Sequence, residues 1–599
     1  MPSSEGQPLS PLETASLTSR IYVGWLTPLL KLGASRPLTA ADVPALPALC
    51  EGGDAAELLR AAFDAERVAA AARGERPSLA RVIYRAHANL RWLVVWALVQ
   101  APFVILLCLA PVLVKQVLIA VESEERTLAG YGWVWLLWLN FVFVGTSVTN
   151  TYAMTILIGV QARASLSVLL FRKSLRLRPD DRRGTSVVTL LSADAMRVWE
   201  MIQVGHMLIK SPIICVLITA ELLHEIGRAA VVGVVLLLFS SWKLARVARR
   251  LGATRREMSK HTDRRLQLTE AVLTGIRVLK MYGWESAMLE QIGQRRDAEV
   301  DALSKLLQLR AFNHAMAYAL PTFVLAITLI TYVLLGEELS VTKAFTVLTL
   351  FNVIRPLITM MPQVLGAYAE YKVAAQRIVD FLSLPEISDT KSIAVQEAAG
   401  PGGNAVELEN AVFGWKKKAS EDEGSDLATF HMGDTLTVPQ LTVAAGDFVV
   451  VVGRVGSGKS SLIHALLGEM RLHSGRAELR GRIALAGQSC WVRNASLKNN
   501  VVDHLPLDEA RYAAVIEASA LAADLAALPS GDSTEIGERG ITLSGGQQAR
   551  VNFARALYRA DRAEILLLDD IFAVDMRVGK HIGPCCARAC CCRARRSSA

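Results

Sequence analysis

Residues 447–468, DFVVVVGRVGSGKSSLIHALLG, decide the fold of half of this 599-residue chain. The β-branched run Phe448–Val452 predicts a buried strand, and the apolar periodicity after Ser461 predicts a helix. Between them stands Gly453-Arg454-Val455-Gly456-Ser457-Gly458-Lys459-Ser460. This is P-loop spacing in its required strand–loop–helix context, and that context argues against a chance glycine-rich turn. The glycines let backbone N–H groups wrap a phosphate chain, and the helix N-terminus adds positive potential. Lys459 is expected at the β- and γ-phosphates and Ser460 at a Mg²⁺ ion.

Three further signals lie downstream. Glu564-Ile565-Leu566-Leu567-Leu568-Asp569-Asp570 is an apolar strand ending in acid. Alone it suits any core strand, but after a P-loop it reads as the strand that brings Asp569 to the metal. Leu543-Ser544-Gly545-Gly546-Gln547 precedes a helix. It offers a second helix N-terminus with exposed N–H groups, able to hold a γ-phosphate bound to a facing copy of the domain. Gln488 ends the run Ile483–Ala486, where a glutamine can sense the metal, a plain loop residue being the alternative. Trp415 lies upstream of the loop and is expected to stack on adenine, a core or edge role being the alternative.

The first half of the chain is different. Hydrophobic residues make up 52% of the sequence and charged residues 20%, which argues against an ordinary soluble enzyme and against disorder. Six apolar stretches are long enough to cross a bilayer: about Trp92–Val114, Val134–Val160, Met201–Leu222, Ala229–Ala245, Phe312–Leu335 and Ala344–Tyr368. The short connections are acidic (Glu122, Glu124, Glu125; Glu221, Glu225; Glu337, Glu338). The long ones are basic (Arg172 to Arg183, and Arg249 to Arg265). Positive-inside bias puts the long loops and both termini in the cytosol. The polar N-terminus predicts no cleavable signal peptide. His206, Lys210, His314 and Arg355 fall at membrane depth, either lining an anion pathway or paired and snorkelling. The net charge of +9 is partly concentrated in residues 583–599, so a nucleic-acid partner is not expected.

With these motifs in hand, the chain resembles the ATP-binding cassette transporters, specifically their C subfamily, the multidrug-resistance-associated proteins. The resemblance runs from about Ser19 to Ile582. It is carried by SRIYVGWLTPLLKLGASRPL (19–38), LLSADAMRVWE (190–200), GIRVLKMYGWE (275–285), KAFTVLTLFNVIRPL (343–357), TEIGERGITLSGGQQARVNFARALY (534–558) and VGKHI (578–582). It implies a multi-pass α-helical membrane domain of the type 1 exporter kind, with six transmembrane helices, and a cytosolic α/β P-loop nucleotide-binding domain. The implied boundaries are 1–85 for an N-terminal lasso and elbow, 86–384 for the membrane domain, 385–405 for a linker, 406–582 for the cassette and 583–599 for a Cys- and Arg-rich tail.

The resemblance further implies ATP and Mg²⁺ as cofactors, a second membrane-plus-cassette half as partner, and amphipathic organic anions or drug conjugates as cargo. Regions around Arg183–Ala193 and Met281–Leu289 would dock on cassettes. Plasma membrane and vacuolar membrane both fit. An ATP-gated channel or channel regulator of the same subfamily, and a non-functional truncated fragment, are the alternatives.

Four departures qualify the resemblance. Asp570 stands where active cassettes carry Glu, so as a base it would position water poorly and give a slow site. The segment Asp569–Asp575 is one residue shorter than the family pattern. No switch histidine is expected after Asp570, because His581 matches a non-catalytic position. The tail GPCCARACCCRARRSSA fits no part of the fold and reads as a frame-shifted or intron-derived end, palmitoylation and metal binding being the alternatives. A chain with one bundle and one such cassette is expected to bind ATP and to hydrolyse it weakly.

Overall fold

Long uninterrupted helices fill the first half of the chain because its apolar runs continue into basic, helix-favouring segments without Gly or Pro breaks at the boundary. The computed structural model describes residues 10–44, 47, 52–86, 101–123, 128–178, 186–387, 394–396, 403–415, 435–536, 543–560 and 563–569. It divides into two units: 1–172 with 186–382, and 173–185 with 383–599.

After short helices at Pro11–Thr14, Leu17–Ile21 and Thr27–Ser35, the first unit continues with α1 (Gly52–Arg73) and the amphipathic α2 (Leu79–Ala86), whose Leu79, Val82 and Ile83 are buried. Glu66 of α1 is wholly buried and accepts hydrogen bonds from Arg73, Arg81 and Arg85 at 2.8, 3.1 and 2.8 Å. Burial alone would raise its carboxyl, but the Arg81 hydrogen bond and the three guanidinium charges outweigh it and hold the pKa below the ordinary value.

The longer helices that follow in this unit are α3 (Ala101–Glu122), α4 (Leu128–Arg176), α5 (Ala195–Val204), α6 (Met207–Ile226), α7 (Arg228–Thr274), α8 (Ile276–Tyr282), α9 (Glu285–Leu334) and α10 (Val341–Leu382). Among the described residues, four stretches of helix are long and apolar enough to cross a membrane: Val104–Glu122, Leu128–Arg176, Val187–Ile226 and Glu285–Leu334. The fourth and sixth expected spans lie on α7 and α10 and are helical. Residues 92–100 of the first expected span lie outside the described residues.

Ile214, Ile218 and Leu222 of α6 recur one turn apart and pack with Leu237, Val324, Val347, Leu350 and Phe351. Outward positions such as Trp135, Leu139, Val216, Leu238 and Ile330 stay exposed, as suits a surface meeting lipid. Helices α7 and α9 approach closely at Gly233, where a Cβ would stand 2.6 Å from Thr328 Oγ1. Beyond the apolar spans the same two helices are clamped by Glu299. It accepts from Arg265 Nε at 2.6 Å, Arg296 Nη1 at 2.8 Å and Thr262 Oγ1 at 2.8 Å.

In the second unit, β2 (Asn404–Gly414) is the central strand of a four-stranded sheet. It pairs antiparallel with β3 (Thr435–Ala444) and β4 (Arg471–Arg480), and β1 (Ala394–Gln396) joins parallel to β4. The expected linker 385–405 therefore contains a strand and the start of another. Its glycine break at 400–402 lies outside the described residues. Val406, Leu408, Ala411 and Phe413 bury one face of β2 against Ala465 and Leu466 of helix α11 (Lys459–Leu466).

Strand β5 (Ile483–Ala486) pairs parallel with β8 (Ile565–Leu568), in register from Ile483↔Ile565 to Ala486↔Leu568, while the two-residue β6 (Ala495–Ser496) and β7 (Glu535–Ile536) pair antiparallel with each other. A helical layer of α12 (Leu497–Val502), α13 (Glu509–Ala518) and α14 (Gly545–Ala560) packs around Leu497, Val501, Ile516, Val551 and Tyr558.

One expected strand is absent. Among the described residues, Phe448–Val452 pairs with no strand, and Val450 and Val452 are 66% and 88% exposed. A β-branched run predicts extended backbone, but a ladder needs neighbours on its edges. Here β8 pairs with β5 alone among the described residues.

Candidate functional site

The P-loop takes its shape from two glycines with positive φ, Gly456 at 83° and Gly458 at 90°, a region that side chains disfavour. Gly458 caps α11, so Lys459, Ser460 and Ser461 form the helix's first turn. Lys459 Nζ donates to the carbonyls of Gly453 and Arg454 at 3.0 and 2.8 Å. The ammonium thus sits over the mouth of the loop, where phosphate oxygens can replace those carbonyls. Val455 is fully exposed at the loop's crest.

Asp569 reaches this loop from the far end of the sequence. Its N–H donates to the Ala486 carbonyl at 2.9 Å, which extends the β5–β8 ladder by one residue. Its Oδ1 lies 3.5 Å from Ser460 Oγ. A hydroxyl and a carboxylate converging beside a phosphate-binding loop are hard oxygen donors suited to Mg²⁺. Gln488 follows Ala486 by two residues and is exposed, so β5 brings it to the end of the ladder where Asp569 stands.

Trp415 directly follows β2, half-buried on the core that holds Leu408 and Phe413. Its ring stands edge-on to His464 of α11, with centroids 5.5 Å apart. The tryptophan therefore packs structurally and also lies next to the P-loop helix.

Ser544 and Gln547 form a capping box at the start of α14. The Ser544 N–H donates to Gln547 Oε1 at 2.9 Å, and the Gln547 N–H donates to Ser544 Oγ at 3.3 Å. Gln547 Nε2 also donates to Asp524 Oδ1 at 3.1 Å, a carboxylate that Arg550 clamps as well. Open space surrounds Gly545 where a Cβ would be, so its backbone is approachable.

Two residues of α14 were not singled out from the sequence. Asn552 Nδ2 donates to the Gly487 carbonyl at 2.9 Å, directly before Gln488. Arg555, one turn on, donates to the carbonyls of Asn500 and Trp491, both at 2.7 Å. Burial lowers the Arg555 pKa, while Asp503 opposes the shift. These bonds tie the helix of the Ser544 motif to the Gln488 loop. Their three-residue spacing on that helix was the available signal, but their partners lie 55 to 65 positions away.

Asp570, the segment through Asp575, His581 and the tail cysteines lie outside the described residues, as do Arg182, Arg183 and 537–542. Of the polar residues at membrane depth, Arg355 has its guanidinium over the Tyr318 ring at 5.1 Å and so has an aromatic partner. His206 occupies the position before α6 without a side-chain capping bond, and His314 is exposed.

Comparison with known proteins agrees with this arrangement. Residues 100–357 match the family model of the ABC transporter transmembrane region, and residues 436–573 match that of the ABC transporter. Fold and sequence together define an integral membrane protein with an ABC transporter transmembrane region and a nucleotide-binding domain.

The chain belongs to the ATP-binding cassette transporters, and the relatives it matches are members of the C subfamily. It is 30% identical over 576 residues to ABC transporter C family member 8 of Dictyostelium discoideum, covering 95% of this chain and 34% of that protein. It is 30% identical over 595 residues to ATP-binding cassette sub-family C member 4 of Homo sapiens, covering 96% and 43%. The figures for sub-family C member 3 of Rattus norvegicus are 30% over 605 residues, 96% and 38%. The chain thus spans well under half the length of these relatives.

Proposed function

We propose that this chain forms one half of an ATP-driven exporter of amphipathic organic anions. The observation that carries the nucleotide chemistry is the convergence of Ser460 and Asp569 beside the Lys459 loop. Ser460, Asp569 and Gln488 would hold Mg²⁺, and residues 453–461 would hold the phosphates of ATP. Trp415 would flank the adenine. The bound metal would neutralise charge on the terminal phosphates.

Ser544, Gly545, Gly546 and Gln547 would complete the ATP site of a second half. Asp570 would serve as a poor base, making this the slow site of the pair. The cassette, the termini and the long basic loops would face the cytosol, in a plasma or vacuolar membrane. The choice of anionic cargo rests on the family resemblance.

Vesicle uptake tests the proposal. Inside-out vesicles carrying the chain with its second half are expected to concentrate a glutathione conjugate against its gradient, dependent on ATP and lost in Lys459→Ala. Equilibration without accumulation would assign a channel instead. ATP binding without movement of any anion would refute export.

A further inference from the structure

We infer that the cleft between α7 and α9 binds an acidic phospholipid of the cytosolic leaflet, its headgroup held by Lys243, Arg246 and Arg250. The cleft has a volume of about 530 Å³, inside the roughly 300–1,000 Å³ typical of ligand sites. Its walls are apolar, formed by Phe239, Leu244, Phe312, Met316 and Phe323. Phe239, Phe312 and Phe323 are each more than half exposed, so the cleft opens sideways at the level of the spans and is not sealed among helices.

The charges gather at one end. Lys243, Arg246 and Arg250 recur at helical spacing on α7 and line the cleft together. Among the described residues, no carboxylate pairs with any of them. Their contacts are aromatic: Lys243 Nζ lies 5.4 and 5.7 Å from the Phe239 and Trp242 ring centroids, and the Arg246 guanidinium lies 4.3 Å from Trp242. Ring faces attract and orient cations without neutralising them. Three uncompensated cations, two of them oriented by rings, over an apolar trough complement a molecule that is anionic at one end and aliphatic at the other.

Depth selects the lipid. The apolar run of α7 stops at Trp242, and basic residues begin at Lys243. An interfacial tryptophan followed by Lys and Arg marks headgroup level, and clustered cations there attract acidic lipids. A phosphate diester with an additional negative group, attached to acyl chains already lying in the bilayer, meets both ends of the cleft with no transfer from water. Assignment to the cytosolic leaflet rests on the orientation proposed above. Retention of the lipid does not, because a nanodisc presents both leaflets alike.

The test places the full chain in nanodiscs of phosphatidylcholine with a minor share of phosphatidylserine. The protein is then released in mild detergent and its bound lipid is counted by native mass spectrometry. Wild type is expected to retain phosphatidylserine several-fold above its share. The triple variant Lys243→Gln, Arg246→Gln, Arg250→Gln is expected to fall to the bulk ratio.

Met316→Trp, which fills the cleft and leaves the cations in place, is expected to fall likewise. Thermal unfolding checks each variant's integrity, and Arg250→Gln alone gives the same reading if the triple variant folds poorly. No enrichment in wild type overturns the proposal, as does enrichment that survives the triple variant. Enrichment that survives Met316→Trp reduces the site to surface attraction and overturns the cleft. Displacement of the lipid by a soluble glutathione conjugate overturns the assignment to lipid and gives the cleft to cargo.

Discussion

Ser460 Oγ and Asp569 Oδ1 stand 3.5 Å apart although 109 residues separate them in the chain. The convergence has two causes. Gly458 starts α11 so that Ser460 lies in its first turn, and the Asp569 N–H bond to Ala486 extends the β5–β8 ladder to the loop. If the pair holds Mg²⁺, removing the Ser460 hydroxyl or the Asp569 charge weakens Mg·ATP and leaves metal-free ATP nearly untouched. Ser460→Ala and Asp569→Asn are each expected to weaken Mg·ATP binding about 10- to 100-fold, the range of one lost charge-assisted contact. Calorimetric titration with and without Mg²⁺ reads the difference. Equal losses in both conditions would make the pair structural only.

The Ser544–Gln547 capping box gives the LSGGQ motif a role in its own domain, before any partner arrives. Losing the cap exposes helix N–H groups that then lack an acceptor. Ser544→Ala is expected to lower cassette stability by about 0.5–2 kcal/mol, and Ser544→Thr to restore most of it. Denaturant unfolding followed by fluorescence of the full chain measures this. An Ala variant as stable as wild type would refute the capping role.

The contrast between these sites and their surroundings shows what a sequence carries. Gly456, Gly458, Lys459 and Ser460 are legible because local backbone and one helix start dictate their arrangement. Asp569 was legible because an apolar run ending in acid has one common use after such a loop. Phe448–Val452 reads as a strand by composition, yet no ladder forms on it among the described residues, since pairing depends on neighbours and not on the run itself. β1 hides in a segment read as linker because three residues carry no periodicity. Asn552 and Arg555 escaped notice because their carbonyl partners share no local pattern with them. Trp415 carries an ambiguity that the fold explains, since packing on the core and lying beside α11 are compatible.

Gly233 sets how closely α7 and α9 pass. A methyl group there would meet Thr328 Oγ1 at 2.6 Å and Thr328 Cγ2 at 3.2 Å. Gly233→Ala is expected to destabilise the membrane unit by about 1–3 kcal/mol, as overpacking does. Thr328→Ala removes both atoms of the clash, so the double variant is expected to recover most of the loss, giving a non-additive cycle. Thermal unfolding of the detergent-solubilised chain in all four combinations tests it. Additive effects would mean the helices separate without consulting this contact.

Glu299 couples the extensions of α7 and α9 to pH. Hydrogen bonds from Arg265, then Arg296, then Thr262 lower its pKa from 4.5 to about 2, against the raising effect of burial. A carboxylate with a depressed folded-state pKa stabilises the fold fully above its unfolded value. That contribution is lost as the pH falls from 4.5 towards 2. Other acids titrate in the same range, so the informative quantity is the stability difference between wild type and Glu299→Gln. Glutamine keeps an accepting oxygen but never the charge. The difference is expected to be largest and constant above about pH 5, and to shrink steadily below it as wild-type Glu299 protonates and comes to resemble the variant. Melting temperatures of both proteins across that range measure it. A difference that stays constant to the acid end would show that folding leaves the Glu299 pKa unshifted, and that the clamp adds no charge-dependent stability.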